Sequence, residues 1–118
     1  MANLGPEDHN FGVDVKLNLL QPGDRPFAHG PRVKVFREDP QINFSISLNP
    51  NPKKMKVIAN PDPVIRGRNL AVLLRKVQKY RFAFLLFWYT QGMTISELHG
   101  LMQRVDAGED LEPEYAAL

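Results

Sequence analysis

Between Pro63 and Ser96 the chain carries no acidic residue, and inside that stretch runs an unbroken apolar segment, Phe82 to Tyr89, FAFLLFWY. A helix that is apolar on every side has to be covered on every side. Any fold must therefore bring other parts of the chain, or a second chain, over this run. The segment leading into it is basic, with Arg66, Arg68, Arg75, Lys76, Lys79 and Arg81. At about 100° per residue, Leu70, Leu73, Leu74, Val77, Phe84, Leu85 and Trp88 share one stripe, with Arg75, Lys76 and Lys79 opposite. Asn69 suits the N-cap and Gly92 the C′ position, so the pattern predicts one long helix. Thr94-Ile95-Ser96-Glu97 is a capping box that opens a second, shorter helix with a stripe of Ile95, Leu98, Leu101, Met102 and Val105. Ala107-Gly108 ends it.

All ten prolines lie outside residues 64–112, which separates a turn-rich first half from a helical second half. The first half alternates apolar and polar residues, the mark of half-buried strands. Phe11, Val13, Val15, Leu17 and Leu19 alternate with Asp14, Lys16 and Asn18. Ile42, Phe44, Ile46 and Leu48 alternate with Asn43, Ser45 and Ser47. Val33 and Val35 alternate with Arg32 and Lys34, and Lys54 to Ala59 supplies a fourth, less regular strand. Gln21-Pro22-Gly23-Asp24, Arg37 to Pro40 and Asn49-Pro50-Asn51-Pro52 supply turns, and Asn60-Pro61-Asp62-Pro63 ends the sheet. The expected architecture is α+β: a four-stranded antiparallel sheet, then a long and a shorter helix packed on one face (ββββαα).

At 118 residues the chain is long enough for one domain with its own core. Residues 1–10 read as a flexible leader, 11–106 as the α+β domain and 107–118 as an acidic tail. Without cysteine there is no disulfide framework, thiol nucleophile or thiolate metal site. The start, MANLGPEDHN, has no basic n-region or apolar h-region, and the run at Phe82 is far short of the ~20 residues that span a bilayer. A cytoplasmic protein without membrane insertion is expected. Net charge is only +2, yet it is segregated: from Asp106 onward there are five acids and no base. Such asymmetry marks either a polyanion site or a tail that folds back on its own basic helix.

Gly23-Asp24-Arg25-Pro26, Ala28-His29, Val33-Lys34-Val35, Phe44 to Asn49 and the helix Leu70 through Trp88 follow one another in an order that resembles a small bacterial domain-of-unknown-function family. That family is associated with toxin–antitoxin-type gene pairs. The similarity covers roughly Phe11 to Gly92. Where the family carries two histidines separated by one residue on the strand after the proline loop, this chain has His29 followed by Gly30-Pro31. The resemblance implies an accessory role beside a toxin–antitoxin pair rather than a reaction.

Catalytic parts are scarce. His9, His29 and His99 share no metal-ligand spacing, and neither G-x-G-x-x-G nor G-K-[ST] is present. No catalytic residue, metal site or cofactor is therefore expected, and His29 remains only as a possible ligand contact. Binding surfaces are better supplied. Phe82, Leu86, Phe87 and Tyr89 fall outside the main helical stripe, more apolar surface than a sheet can cover. They form the expected interface with a protein partner, a second copy or a cognate chain. Arg81 lies near the stripe's centre and needs an acidic or carbonyl partner, from the tail or that other chain. Alternation puts Arg32, Lys34 and Phe36, with Lys16, on one sheet face. Basic strands interleaved with an aromatic suit nucleic acid, and Arg66, Arg68, Arg75 and Lys79 could form a second basic cluster. The expected function is a non-enzymatic interaction module, with nucleic-acid binding as the alternative.

Overall fold

The computed structural model describes residues 2–21, 30–39, 41–58 and 67–118. Its architecture is α+β, with an antiparallel sheet followed by helices. Five strands, β1 (Ala2–Leu4), β2 (Lys16–Leu19), β3 (Arg32–Arg37), β4 (Ile42–Ser47) and β5 (Val57–Ile58), lie side by side in sequence order. Every neighbouring pair is antiparallel. A short helix, α1 (Pro6–His9), links β1 to β2, and α2 (Gly67–Lys79), α3 (Arg81–Tyr89), α4 (Ile95–Asp106) and α5 (Glu112–Ala116) complete the chain.

The fifth strand comes from the segment expected to be a flexible leader. Ala2 and Leu4 are fully buried and pair with Leu19 and Leu17. Pro6 at the helix start and the Asp8 carboxylate accepting the Gly5 N–H at 2.9 Å shape α1. His9 then locks the turn: its Nε2 lies 2.7 Å from the Val15 carbonyl and its Nδ1 accepts the Phe11 N–H at 3.0 Å. Phe11 stacks on Tyr80 at 5.5 Å, so the leader is tied to the helical layer. The strand expected over residues 11–19 is regular only from Lys16. Phe11, Val13 and Val15 are nonetheless buried as their alternation required. At the fourth expected strand, Pro52–Lys54 wind into a 3₁₀ turn, leaving β5 only two residues.

Leu4–Leu17–Val35–Phe44 and Ala2–Leu19–Val33–Ile46–Val57 form rows across the inner face. Leu73 and Val77 of α2 and seven residues of α3, Phe82 to Trp88, close the core over this face. The single long helix divides at Tyr80, whose ψ of 15° departs from helical geometry although its N–H and carbonyl keep i→i−4 bonds with Lys76 and Phe84 at 3.2 and 3.1 Å. Arg81 stands at the break. Its guanidinium donates to the Gln78 carbonyl at 2.9 Å and the Pro50 carbonyl at 2.8 Å, and it lies over the Phe82 ring. A side chain inserted into the helical ladder is a known cause of kinks. Gln21, buried between sheet and helix, donates to the Thr90 carbonyl at 2.7 Å, and its amide lies 3.3 Å from those of Phe87 and Met93. It satisfies carbonyls that the C-terminus of α3 leaves open. The helix ends at Tyr89, earlier than a C′ role for Gly92 requires. The Thr94–Glu97 capping box forms as the sequence signals, and Gly108 at φ 92° follows α4.

The acidic tail is ordered. Leu111 is 1% exposed, and Tyr115 reaches Phe82 and Tyr89 at 5.6 and 6.3 Å between ring centroids. Arg104 of α4 holds it through Glu109 at 3.1 Å and through both oxygens of Glu114. Asp106 turns back to α2, pairing with Lys79 at 3.0 Å and accepting the Tyr80 hydroxyl. Among the described residues, no helix is long and apolar enough to cross a membrane.

Candidate nucleic-acid interface

The helices all stand on one side of the sheet, and the pleat sends alternate side chains to the other. Pairing fixes what that outer face contains. One row runs Asn3, Asn18, Lys34, Ser45 and Ile58; a second runs Lys16, Phe36 and Asn43. A third runs Arg32 and Ser47, then Lys56, because the Ser47 N–H donates to the Lys56 carbonyl at 2.9 Å. Lys16, Lys34, Asn43 and Lys56 are exposed, while Arg32, Phe36, Ser45 and Ser47 are half-buried. The Lys16 ammonium lies 5.7 Å from the centre of the Phe36 ring. At the turn end a hollow of about 260 Å³ opens beside Phe36, walled by Lys34, Arg37, Gln41 and Asn43 and, on its acidic side, by Glu38.

Charge is graded along this face. Arg32, Lys34, Lys16 and Lys56 sit at strand positions or just before one, and no carboxylate does. The acids Asp14, Glu38 and Asp39 gather instead beyond Lys16 and Phe36, where Arg37 donates to the Asp14 backbone carbonyl at 3.0 Å and pairs with its carboxylate at 3.4 Å. Among the described residues, a polyanion laid along β3 meets cations first and acids only at the far end.

The structure brings Arg32, Lys34 and Phe36 together and leaves the second basic cluster elsewhere. Arg68, Arg75 and Lys79 are exposed on α2, opposite the Leu73 and Val77 side that packs in the core. They belong to the helical layer, not to the outer sheet face. Lys79 is engaged by Asp106, whose hydrogen bond raises the ammonium's pKa. The Tyr80 hydroxyl, followed by Lys79, holds the Asp106 carboxyl below the usual carboxylate range, and burial raises the Tyr80 phenol. Arg66 and His29 lie outside the described residues.

The expected apolar partner interface is mostly interior. Phe82, Leu86 and Phe87 are buried at 7%, 6% and 1% exposure, because α4 and the tail cover the sides of α3 that the sheet does not. Tyr89 alone of that set stays open, at 52%. Arg81 finds its partners in backbone carbonyls of its own chain. Sequence reasoning also passed over Lys56, Asn18 and Ser45, which reach the outer face only through the pairing of β2, β4 and β5. Alternation within each strand was the available signal; the missing piece was register.

Among the described residues, no group of three or more His, Cys, Asp or Glu side chains is placed to hold a metal ion. Comparison with protein-family models, with curated proteins and with solved structures finds no match to this chain.

Proposed function

We propose that the protein is a non-enzymatic binding module that takes single-stranded nucleic acid on the outer face of its sheet. One observation carries the proposal: a face with four cations, an aromatic ring and a set of Asn and Ser side chains, free of carboxylates at its strand positions. Lysine and arginine neutralise phosphates, while an aromatic offers a stacking surface to any base. Asn43 and Gln41 beside Phe36 supply donors and acceptors for base edges, which only an unpaired strand presents. An accessory role such as the toxin–antitoxin resemblance implies would use this same face. Fluorescence anisotropy with labelled single- and double-stranded oligonucleotides tests the proposal. Single strands should bind, and Phe36→Ala should weaken them by about 1–3 kcal/mol, the range for one stacked base. Equal binding of wild type and Phe36→Ala, or a preference for duplex, would sink it.

A second reading, contact with another protein chain, is favoured by what remains of the α3 surface. Tyr89 and Leu118 are 52% and 63% exposed and line an open hollow with Tyr115 and Ala116. Light scattering on the wild type and on Tyr89→Asp decides it. An oligomer or complex lost on substitution supports the contact, and an unchanged monomer removes it.

A further inference from the structure

We infer that Arg32, Ser47 and Lys56 form a phosphate-binding row that anchors the backbone of the bound strand at the end of the sheet away from Phe36. The inference rests on the proposed function and adds to it a location, a polarity along β3 and two residues, Ser47 and Lys56, that alternation alone did not single out. Arg32 and Ser47 are directly paired across β3 and β4, and Ser47 and Lys56 across β4 and β5. A guanidinium, a hydroxyl and an ammonium therefore project from three adjacent strands on one face. The Ser47 Oγ accepts the Lys56 N–H at 2.7 Å, which fixes the oxygen and leaves its proton to donate outward. The Arg32 Nε is buried and has no hydrogen-bond partner. That N–H has no accessible surface, so a phosphate contact falls to the terminal amino groups of the guanidinium, whose fork matches phosphate oxygens.

Charge points to the same end. Lys34 is two residues along β3 from Arg32, about 6.6 Å at strand spacing, and adds a cation on the same face. Lys53 and Lys54 stand in the 3₁₀ turn just ahead of Lys56. The carboxylates Glu38 and Asp39 follow Phe36 and Arg37 at the opposite end, where Glu38 also lines the Phe36 hollow. An anionic backbone is thus held at Arg32, Ser47 and Lys56, while the Phe36 hollow, about 13 Å along β3, receives a base from further along the strand.

Two titrations of isotope-labelled protein, followed by amide shifts, test the row: one with inorganic phosphate, one with a single-stranded oligonucleotide. Phosphate should give saturable shifts centred on residues 32, 47 and 56, and these should vanish in the double variant Arg32→Gln, Lys56→Gln. That variant should bind the oligonucleotide about tenfold or more weakly, and its plot of log affinity against log salt should be shallower by about 1.4, two contacts' worth. Arg32→Lys, which keeps the charge but not the guanidinium fork, should fall between wild type and the double variant. If the oligonucleotide binds the folded double variant as it binds wild type, the row is wrong while the sheet-face proposal stands. If no oligonucleotide binds wild type, the proposed function fails. Phosphate then judges the row alone: localised saturable shifts leave it as an anion site without a strand, and their absence overturns it.

Discussion

His9 and Gln21 are the buried polar side chains among the described residues, and each serves the backbone. The His9 ring bridges the Val15 carbonyl and the Phe11 N–H; the Gln21 amide caps the end of α3. Removing either leaves buried backbone groups unpaired, at about 1–3 kcal/mol for such a group. His9→Ala and Gln21→Ala should each lower the urea-unfolding free energy by about that amount, with an unchanged m-value; a neutral substitution at either site would contradict its capping role. Neither role was legible in the sequence. Gln21 binds carbonyls 66 to 72 positions away, and hydropathy patterning shows a segment's own period, not what another segment's backbone leaves unsatisfied. His9 was hidden for a related reason: the buried residues Ala2 and Leu4 are too few to show a period. Asp8 placed to cap an N-terminus and Pro6 at the first helical position were the usable signals. Arg81 was half legible. Its place on the apolar stripe demanded a partner, and the partner proved to be a pair of carbonyls at a helix break.

Among the elements, α3 was the one most plainly written in the sequence, and its surroundings the least. An apolar run such as Phe82 to Tyr89 must be covered, and it is. The cover includes the tail, whose Glu-Asp-Leu-Glu-Pro-Glu-Tyr stretch has no sustained periodicity; its two large apolar side chains, Leu111 and Tyr115, were the one sign of where it docks, and both do so. Leu111→Ala should destabilise the protein by about 2–5 kcal/mol, as for a buried leucine, read from thermal or urea unfolding. Leu111→Asp should also unseat α5 and expose Phe82, seen as increased binding of a hydrophobic dye. Acid should loosen the same region. Asp106 and Glu114 are held below their usual ranges, chiefly by hydrogen bonds from Tyr80 and from Arg104 respectively. A lowered folded-state pKa contributes stability that is present above the unfolded values of 3.8 and 4.5 and is lost as pH falls through the folded ones. The melting temperature should therefore drop below about pH 4, and Asp106→Asn should shrink that drop; an unaltered acid profile in the variant would count against the pairing. The capping box of α4 and the alternation of β3 and β4 are legible in the sequence because both are local. The break between α2 and α3 is not legible, and the Pro50 carbonyl that holds Arg81 there comes from a distant segment of the chain.

At the scale of the whole molecule, the fold sorts its charges. Helices occupy one side of the sheet, so the polar halves of the strands gather on the other as a cationic face on which, among the described residues, the acids stand at the turn end. Alternation alone placed Arg32, Lys34, Lys16 and Phe36 together, which is most of that face. Register, set by long-range pairing, added Lys56, Asn18 and Ser45 and separated the α2 cations from them. The central claim, that this face holds a single strand through its phosphates, is tested most directly by the salt dependence of binding. Measured by anisotropy between about 50 and 200 mM salt, log affinity should fall against log salt with a slope of about −2 to −3, for three to four phosphates at roughly −0.7 each. Lys34→Gln should make that slope shallower by about 0.7. No saturable binding at the low-salt end, or binding whose affinity ignores salt, would contradict the claim.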